Sequence, residues 1–417
     1  MKKRRIGLSL ISLLLLCAMA VNATGCATVI QADDLMDGIT PQEVKIPTDF
    51  GDHNADATDF ALRLFRAANS GDNTLISPLS VLCALAMTAN GADGQTRAQM
   101  EEVLGMTVED LNFYLYGYLN SLSQDQKNKL ALANSIWFTD NEAFRVNRDF
   151  LQANADYYGA DIYKTPFDKQ TLKDINNWVN DKTDGMIPKA LDQIPPAAIM
   201  YLINALVFDA EWATTYEKHQ VKDGIFTKAD GTQQQAEMMY GTERKYLRDE
   251  NATGFIKYYS GHKYAFVALL PDEGISVTEY INSLDGAALN ALLSNAENAT
   301  VETAIPKFEV EYGTELSAVL KQMGMTDAFD PMNADLSGIG DSAENLFISS
   351  VIHKTHIQVG EEGTKAGAVT VVEIKANSIA PPSEIKQVYL DRPFVYMLID
   401  CETQVPFFIG TMTDMGA

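Results

Sequence analysis

The chain has 417 residues, with 32 Lys and Arg against 56 Asp and Glu, which gives a formal net charge of −24. An acidic surface repels polyanions, so this balance excludes nucleic acid and anionic membrane surfaces as partners. With 46% hydrophobic residues, a chain of this length can bury a large core.

The first 25 residues predict an export signal. Basic residues at positions 2–5 precede an apolar run at 6–21 that is too short to span a membrane. Once these four basic residues are removed, 28 Lys and Arg remain against 56 Asp and Glu, a net charge of −28. The segment around Cys26 resembles the processing box of bacterial lipoproteins. Cys26 would then be a lipidated N terminus on a bacterial cell surface, and any membrane contact would run through that lipid; plain secretion is the alternative.

Residues 26–47 predict an anchor cysteine followed by a tether, because positions 33–47 are acidic and lack apolar periodicity. No second linker or repeat follows, which predicts one domain over residues 48–417. Cys83 and Cys401 lie in apolar runs, so we expect two buried free thiols rather than a disulfide. Core packing must then hold the domain together.

The remaining pattern predicts an α+β protein. Helical patterns dominate the first third, where one apolar helix opens at Ser77 and ends near Asn90, and Thr96 with Gln99 predicts a capping box for the next helix. Short apolar runs bounded by turn signals predict strands at 130–138, 200–208, 263–270, 394–400 and 406–411.

Segment 361–375 has the pattern of a strand where a loop would be expected. Small or apolar residues occupy every second position: Thr364, Ala366, Ala368, Thr370, Val372 and Ile374. The charged residues after Gly363 fall on the other parity, so the segment could insert into a sheet with one face on a core. Residues 376–383 include two prolines and resist both helix and sheet, so a protease could reach them. An ordinary edge strand followed by a linker is the alternative on alternation alone.

Short sequence blocks follow one another along nearly the whole chain, at 76–81, 91–96, 132–138, 175–180, 203–212, 270–271, 305–308, 334–338, 348–354 and 392–394. In these blocks and their order, the chain resembles the serpin family of serine-protease inhibitors. The resemblance implies an α+β serpin fold, with several helices around three β-sheets, a central sheet that can accept another strand and an exposed reactive loop at about 361–392.

The resemblance also implies a latch beneath the central sheet, formed by Ser77, Ser80, Asn204 and His353, which must part to admit the loop. The residues themselves point the same way. Three of them are polar positions in apolar runs, and buried polar groups need hydrogen-bond partners.

At the top of the sheet opening, the resemblance places Trp212 and pairs Lys307 with Glu361. The resemblance also implies a hinge of the inhibitory type, in which most residues are small. It comprises Glu361, Gly363, Thr364, Ala366, Gly367 and Ala368. Bulk or charge there would slow insertion.

By resemblance, the protein is a suicide-substrate inhibitor of serine proteases and not an enzyme. Insertion of the cleaved loop into the central sheet would trap the acyl-enzyme. Family spacing places the scissile bond about fourteen residues after Gly363, at Asn377-Ser378, which suits an elastase- or subtilisin-like target. The alternative is Lys375-Ala376, which suits a trypsin-like target.

The rival interpretation is a non-inhibitory protein of the serpin fold that binds a ligand or partner, although the small hinge residues favour inhibition. A hydrolase is poorly supported, because Gly340-Asp341-Ser342 is no nucleophile elbow. His353 and His356 fall on opposite faces of a strand, without a metal motif. We expect extracellular serine proteases as partners, no cofactor, no metal and a monomer.

Overall fold

The protein is described by a computed structural model over residues 30–48, 50–125, 127–140, 144–195, 198–341, 345–364 and 385–416. The predicted signal, Cys26 and segment 365–384 lie outside the described residues. That segment includes hinge positions Ala366, Gly367 and Ala368 and both candidate scissile bonds, formed by Lys375, Ala376, Asn377 and Ser378.

The described residues form nine α-helices and nineteen strands, which confirms the α+β class. The helices are α1 (Asn54–Ala68), α2 (Pro78–Ala89), α3 (Gly94–Leu104), α4 (Val108–Ser121), α5 (Arg148–Tyr158), α6 (Lys169–Lys182), α7 (Val277–Ser283), α8 (Gly286–Ser294) and α9 (Ser317–Met323). Most of them begin at a side chain that accepts a backbone N–H, as Thr107 does for α4 and Asp168 does for α6.

The strands are β1 (Asp33–Asp34), β2 (Thr74–Ile76), β3 (Gln124–Asp125), β4 (Asn128–Thr139), β5 (Arg145–Val146), β6 (Asp161–Thr165), β7 (Met200–Glu211), β8 (Val221–Thr227), β9 (Gln233–Arg248), β10 (Ala252–Tyr258), β11 (Tyr264–Pro271), β12 (Glu297–Pro306), β13 (Phe308–Glu315), β14 (Gly340–Asp341), β15 (Ser350–Val359), β16 (Gly363–Thr364), β17 (Ile385–Tyr389), β18 (Phe394–Asp400) and β19 (Pro406–Met412).

These strands make three sheets within the described ranges. The central one has eight strands in the order β1-β6-β4-β7-β16-β15-β13, with β3 added beside β4. A nine-stranded sheet runs β17-β12-β9-β10-β11-β18-β19-β2, with β8 beside β9, and β5 and β14 form a two-stranded ribbon. The long strand β7 therefore lies in the middle of the central sheet.

Both faces of β7 are buried, because helices cover the central sheet on each side. Alternate residues such as Leu202 and Leu206 join the main core, into which α2 also packs, whereas Tyr201 and Ile203 pack in a smaller core with Trp178 of α6. The period of two thus assigns the even-numbered apolar positions of β7 to the main core.

The predicted helix α2 is confirmed, with Ser77 as its N-cap, Pro78 in its first turn and every residue buried. The predicted capping box at Thr96 and Gln99 is wrong. Helix α3 begins earlier, at Gly94, and its N-cap is Asp93, whose carboxylate accepts the N–H of Gly94 at 2.7 Å. Both polar side chains serve tertiary contacts instead: the Thr96 hydroxyl accepts the N–H of Asp335, and the Gln99 amide oxygen binds the loop before Phe329.

The acidic segment before the domain lies against the domain surface. Asp33 and Asp34 pair with β6 as an edge strand, and the Gln42 N–H donates to Asp156 at 2.7 Å. Composition did not predict these contacts. Among the described helices, none is long and apolar enough to cross a membrane. Cys83 is a buried free thiol as predicted, and Cys401 is free but only partly buried.

Candidate functional site

Strands β7 and β15 are neighbours in the central sheet, but they pair over only part of their length. A parallel ladder joins Ser350–Lys354 to residues 201–205, and it ends at the pair Lys354 and Ala205. At the far end, β16 lies between the two strands, with Thr364 opposite Ala210 on one side and Val359 on the other. The two strands are therefore hydrogen-bonded to each other at one end and separated by the short strand β16 at the other.

A cavity of about 460 Å³ lies at the upper end of the opening between β7 and β15, around the hinge. Its lining combines the strand edges with the hinge, including Asp209, Phe308, Gln358 and Thr364. Strands that lie apart expose unpaired backbone groups, which are a template for another strand. The opening can therefore accept a strand.

Two residues of the hinge, Gly363 and Thr364, already lie in the sheet. Thr364 is only 2% exposed, and its hydroxyl forms a hydrogen bond with the hydroxyl of Tyr259, a residue of the main core. Gly363 lies so close to β7 that a Cβ atom would be 2.0 Å from the carbonyl oxygen of Ala210. Only glycine fits this close approach.

Trp212 holds the chain that leads into the hinge. Its indole N–H donates to the carbonyl of Gly360 at 2.8 Å, and its backbone N–H donates to the carbonyl of Glu362 at 2.8 Å. The backbone N–H of Tyr216 donates to the carbonyl of Glu361 at 3.0 Å. Together these contacts fix residues 360–362 at the top of the opening.

Lys307 and Glu361 are brought together, with 3.0 Å between Nζ and Oε1, and Glu237 lies 3.3 Å from the same ammonium group. The Glu361 carboxylate, together with Glu237, raises the pKa of Lys307. Because these groups are partly exposed, solvent screens the pair and limits its contribution to stability.

The four predicted latch residues also lie together, each at most 1% exposed. The Ser77 backbone N–H donates to His353 Nε2 at 3.0 Å, so the ring proton is on Nδ1 and donates to Asn204 Oδ1 at 3.0 Å. The Ser80 hydroxyl is 3.1 Å from the carbonyl of Ser77 and 3.2 Å from Asn204 Oδ1. Burial lowers the pKa of His353 to about 3, so the ring is neutral near pH 7.

A family model described as "Serpin (serine protease inhibitor)" matches residues 55–415. The chain belongs to the serpin family. The activity that the family description names is protease inhibition rather than catalysis.

Known proteins similar to this serpin include the leukocyte elastase inhibitor of Sus scrofa, which is 31% identical over 380 residues, covering 85% of this chain and 97% of that protein. The solved native state of Tengpin, a thermophilic serpin, is 49% identical with a TM-score of 0.88, over 92% of this chain and 100% of that one. The latent state of Tengpin gives 47% identity and a TM-score of 0.78, over 90% and 100%. The fold of this serpin is therefore more similar to the native state.

Sequence reasoning missed a buried ion pair behind Trp212. Lys257 is 3% exposed, and its ammonium lies 2.9 Å from Glu243 Oε1 and 3.1 Å from the carbonyl of Thr214. The same ammonium is 5.1 Å from the ring centroid of Trp212 and 4.4 Å from that of Tyr216, within cation–π range. A lysine among apolar residues of a strand was the available signal.

Sequence reasoning also missed Asn134, a buried polar residue that lies beside the latch. It lies directly opposite Asn204 in the antiparallel pair of β4 and β7, and both side chains are buried. Within the described part of the chain, Asn134 Oδ1 and Asn204 Nδ2 have no hydrogen-bond partner.

The described residues also contain no group of three or more His, Cys, Asp or Glu that could hold a metal ion.

Proposed function

We propose that this serpin is a suicide-substrate inhibitor of serine proteases that traps the acyl-enzyme by inserting its cleaved loop between β7 and β15. The observation that carries the proposal is the position of β16, which already occupies the upper end of that opening. A loop that continued from Thr364 would extend this strand into the space below.

The register of β16 dictates how such a strand would lie. Because β16 is antiparallel to both neighbours, each two residues further along the loop move two residues back on β7 and β15. Ala366 would lie between Phe208 and Ile357, and Thr370 between Asn204 and His353. The alternating small residues would share the buried face with Thr364, and the charged ones would take the opposite face.

Insertion would strongly stabilise the fold. A new central strand gains on the order of 10–12 ladder hydrogen bonds, each worth roughly 0.5–1.5 kcal/mol, which totals about 5–18 kcal/mol. That total rivals the whole stability of an ordinary domain, about 5–15 kcal/mol. The form with the loop outside is then held by a kinetic barrier.

Insertion after cleavage would drag the covalently attached protease along the molecule. Deacylation requires an aligned oxyanion hole and catalytic triad, so displacement of the nucleophile strands the ester. We propose extracellular elastase- or subtilisin-like proteases as targets, cleaving at Asn377-Ser378. Cleavage at Lys375-Ala376 by a trypsin-like enzyme is the alternative. The family spacing of about fourteen residues after Gly363 supports Asn377-Ser378, and the length of the loop up to Arg392 is the reason for keeping Lys375-Ala376 as the alternative.

The test is to incubate the protein separately with an elastase, a subtilisin and a trypsin. A complex that survives boiling in detergent supports trapping, and sequencing of the released fragment should begin at Ser378. A fragment that begins at Ala376 assigns the trypsin-like class. Clean cleavage with full protease activity remaining would favour the rival function, a non-inhibitory serpin-fold binding protein.

Metastability has its own test, which is independent of the target. Heat-unfolding curves of the intact and the nicked protein should differ, with the nicked form more resistant. Coinciding curves would mean that cleavage releases no stored free energy, and they would overturn the mechanism.

We also propose that the protein is exported and monomeric, with Cys26 as a lipid-modified N terminus. The charge and apolar pattern of residues 1–25 supports export, and the monomer is the default state of the family. Metabolic labelling with a fatty acid should mark the wild type and leave Cys26→Ser unlabelled. Release of unlabelled wild-type protein into the medium would instead establish plain secretion.

A further inference from the structure

A cavity of about 450 Å³ lies away from the sheet opening, and we name it the Arg392 cavity. It is formed by the turn after β11, the residues that follow β8 and the segment that precedes β18. Its lining shares no residue with the central sheet. Its volume falls within the range of roughly 300–1,000 Å³ that small-molecule sites have.

Apolar side chains make much of the wall, including Pro271, Ile275, Val277 and Pro393. Val277 is 6% exposed, so this wall belongs to the packed interior. Such a surface favours the apolar part of a ligand, because burial removes its surface from water.

Four charged residues line the Arg392 cavity, and two of them are already paired. Lys228 Nζ lies 3.2 Å from the carboxylate of Asp414. Asp272 accepts two hydrogen bonds, at 2.8 and 2.9 Å, from the guanidinium group of Arg248. These two pairs are satisfied without a ligand.

The other two charged residues are Glu273, which is exposed, and Arg392. Arg392 Nη1 is buried and has no hydrogen-bond partner among the described residues, although the positive charge of Arg392 acts on the carboxylates of Asp391 and Asp272. A guanidinium stays charged at any physiological pH and has donors only. An unsatisfied buried donor of this kind destabilises the fold, so an acceptor placed beside it would be stabilised.

We propose that the Arg392 cavity binds a small organic carboxylate. The carboxylate accepts hydrogen bonds from Arg392, and an apolar body packs on Pro271, Val277 and Pro393. A carboxylate matches the planar fork of a guanidinium. A dianion such as a phosphate monoester is disfavoured, because Glu273 and Asp391 add negative charge nearby.

Calorimetric titration of the full chain with 2-naphthylacetate and with its neutral amide tests this site. The carboxylate should bind at least about tenfold more tightly than the amide, as expected for a charge-assisted hydrogen bond. Arg392→Gln should abolish that difference. Glu273→Gln removes a competing charge and should tighten carboxylate binding about two- to threefold. Arg97→Gln, which alters an exposed pair on α3, is the matched control and should change nothing.

Thr278→Trp provides a second variant, in case Arg392→Gln perturbs the fold. Thr278 is an exposed residue of the cavity rim, so an indole there should block the carboxylate and the amide alike. Equal affinity of wild type and a folded Arg392→Gln for the carboxylate would overturn the proposal. So would equal affinity of wild type for the two compounds, or no binding of either up to about 10 mM.

Discussion

Asn204 and His353 are direct partners across β7 and β15, and a hydrogen bond of 3.0 Å joins Oδ1 of one to Nδ1 of the other. This bond lies where β7 and β15 pair directly with each other, in the path that an inserting strand would take. The pair therefore holds β7 and β15 together, and an inserting strand would have to break this hydrogen bond.

The first prediction concerns the pH dependence of this closure. The pKa of His353 is about 3 in the folded protein against 6.5 ordinarily, because burial disfavours the charged ring. The unfolded chain therefore binds the proton first. The stability that the neutral ring contributes is present above pH 6.5 and is lost as the pH falls, by about 1.4 kcal/mol per pH unit. Between pH 6.5 and pH 5, the melting temperature should fall further for wild type than for His353→Gln. Equal falls in melting temperature for the two proteins would contradict this prediction.

The second prediction concerns Gly363. A Cβ at this position would lie 2.0 Å from a backbone oxygen of β7, so Gly363→Ala should expel β16 from the sheet and hinder hinge insertion. Progress curves with the target protease should then show several-fold more inhibitor consumed per enzyme trapped. Gly360→Ala is the matched control, because a Cβ there meets nothing within 4 Å. Equal stoichiometry for the two variants would exclude this steric role.

The third prediction separates the two faces of the inserting strand. Ala366 should enter on the buried side between Phe208 and Ile357, so Ala366→Arg forces a charge into the core and should convert the inhibitor into a substrate. The site of cleavage should not change. Lys365→Arg places an arginine at the adjacent position, where the side chain would lie on the opposite face of the strand. This variant should still trap the protease. Retained trapping by Ala366→Arg would count against insertion.

The fourth prediction tests the register at the latch. If Thr370 separates Asn204 from His353 in the cleaved form, its hydroxyl can bond to them. Thr370→Val would then leave buried polar groups unpaired and destabilise the cleaved form by about 1–3 kcal/mol. The intact form should be unaffected, and Thr370→Ser, which keeps the hydroxyl, should behave as wild type. Melting of cleaved and intact samples checks this; an equal loss in both would refute the register.

The fifth prediction concerns the buried pair of Lys257 and Glu243. Lys257→Met leaves a buried carboxylate without its partner, so the free energy of unfolding should fall by about 3–5 kcal/mol. The double variant with Glu243→Leu should recover much of that loss. Lys129→Met breaks an exposed pair with Asp184 and should cost at most about 1 kcal/mol. Similar losses for Lys257→Met and Lys129→Met, measured by denaturant unfolding, would show that burial of the pair carries no special weight.

The sequence determined the features that depend on neighbouring residues. Ser77 caps α2 because its side chain reaches the N–H of Ser80, three residues away. The alternation from Thr364 to Ile374 gives the segment one apolar face through the period of two. The ordered blocks were sufficient to recognise the family, and with it the expectation that Lys307 meets Glu361.

Only the tertiary structure decided which distant residues meet. Whether Thr364 lies inside or outside the sheet depends on Tyr259 and Ala210, which are far away along the chain. Thr96 does not form the predicted capping box, because its hydroxyl accepts the N–H of the distant residue Asp335. The buried Lys257 is paired with Glu243, which lies on another strand. Strand register and buried charge pairs are set by packing between remote segments, and local periodicity contains no information about that packing.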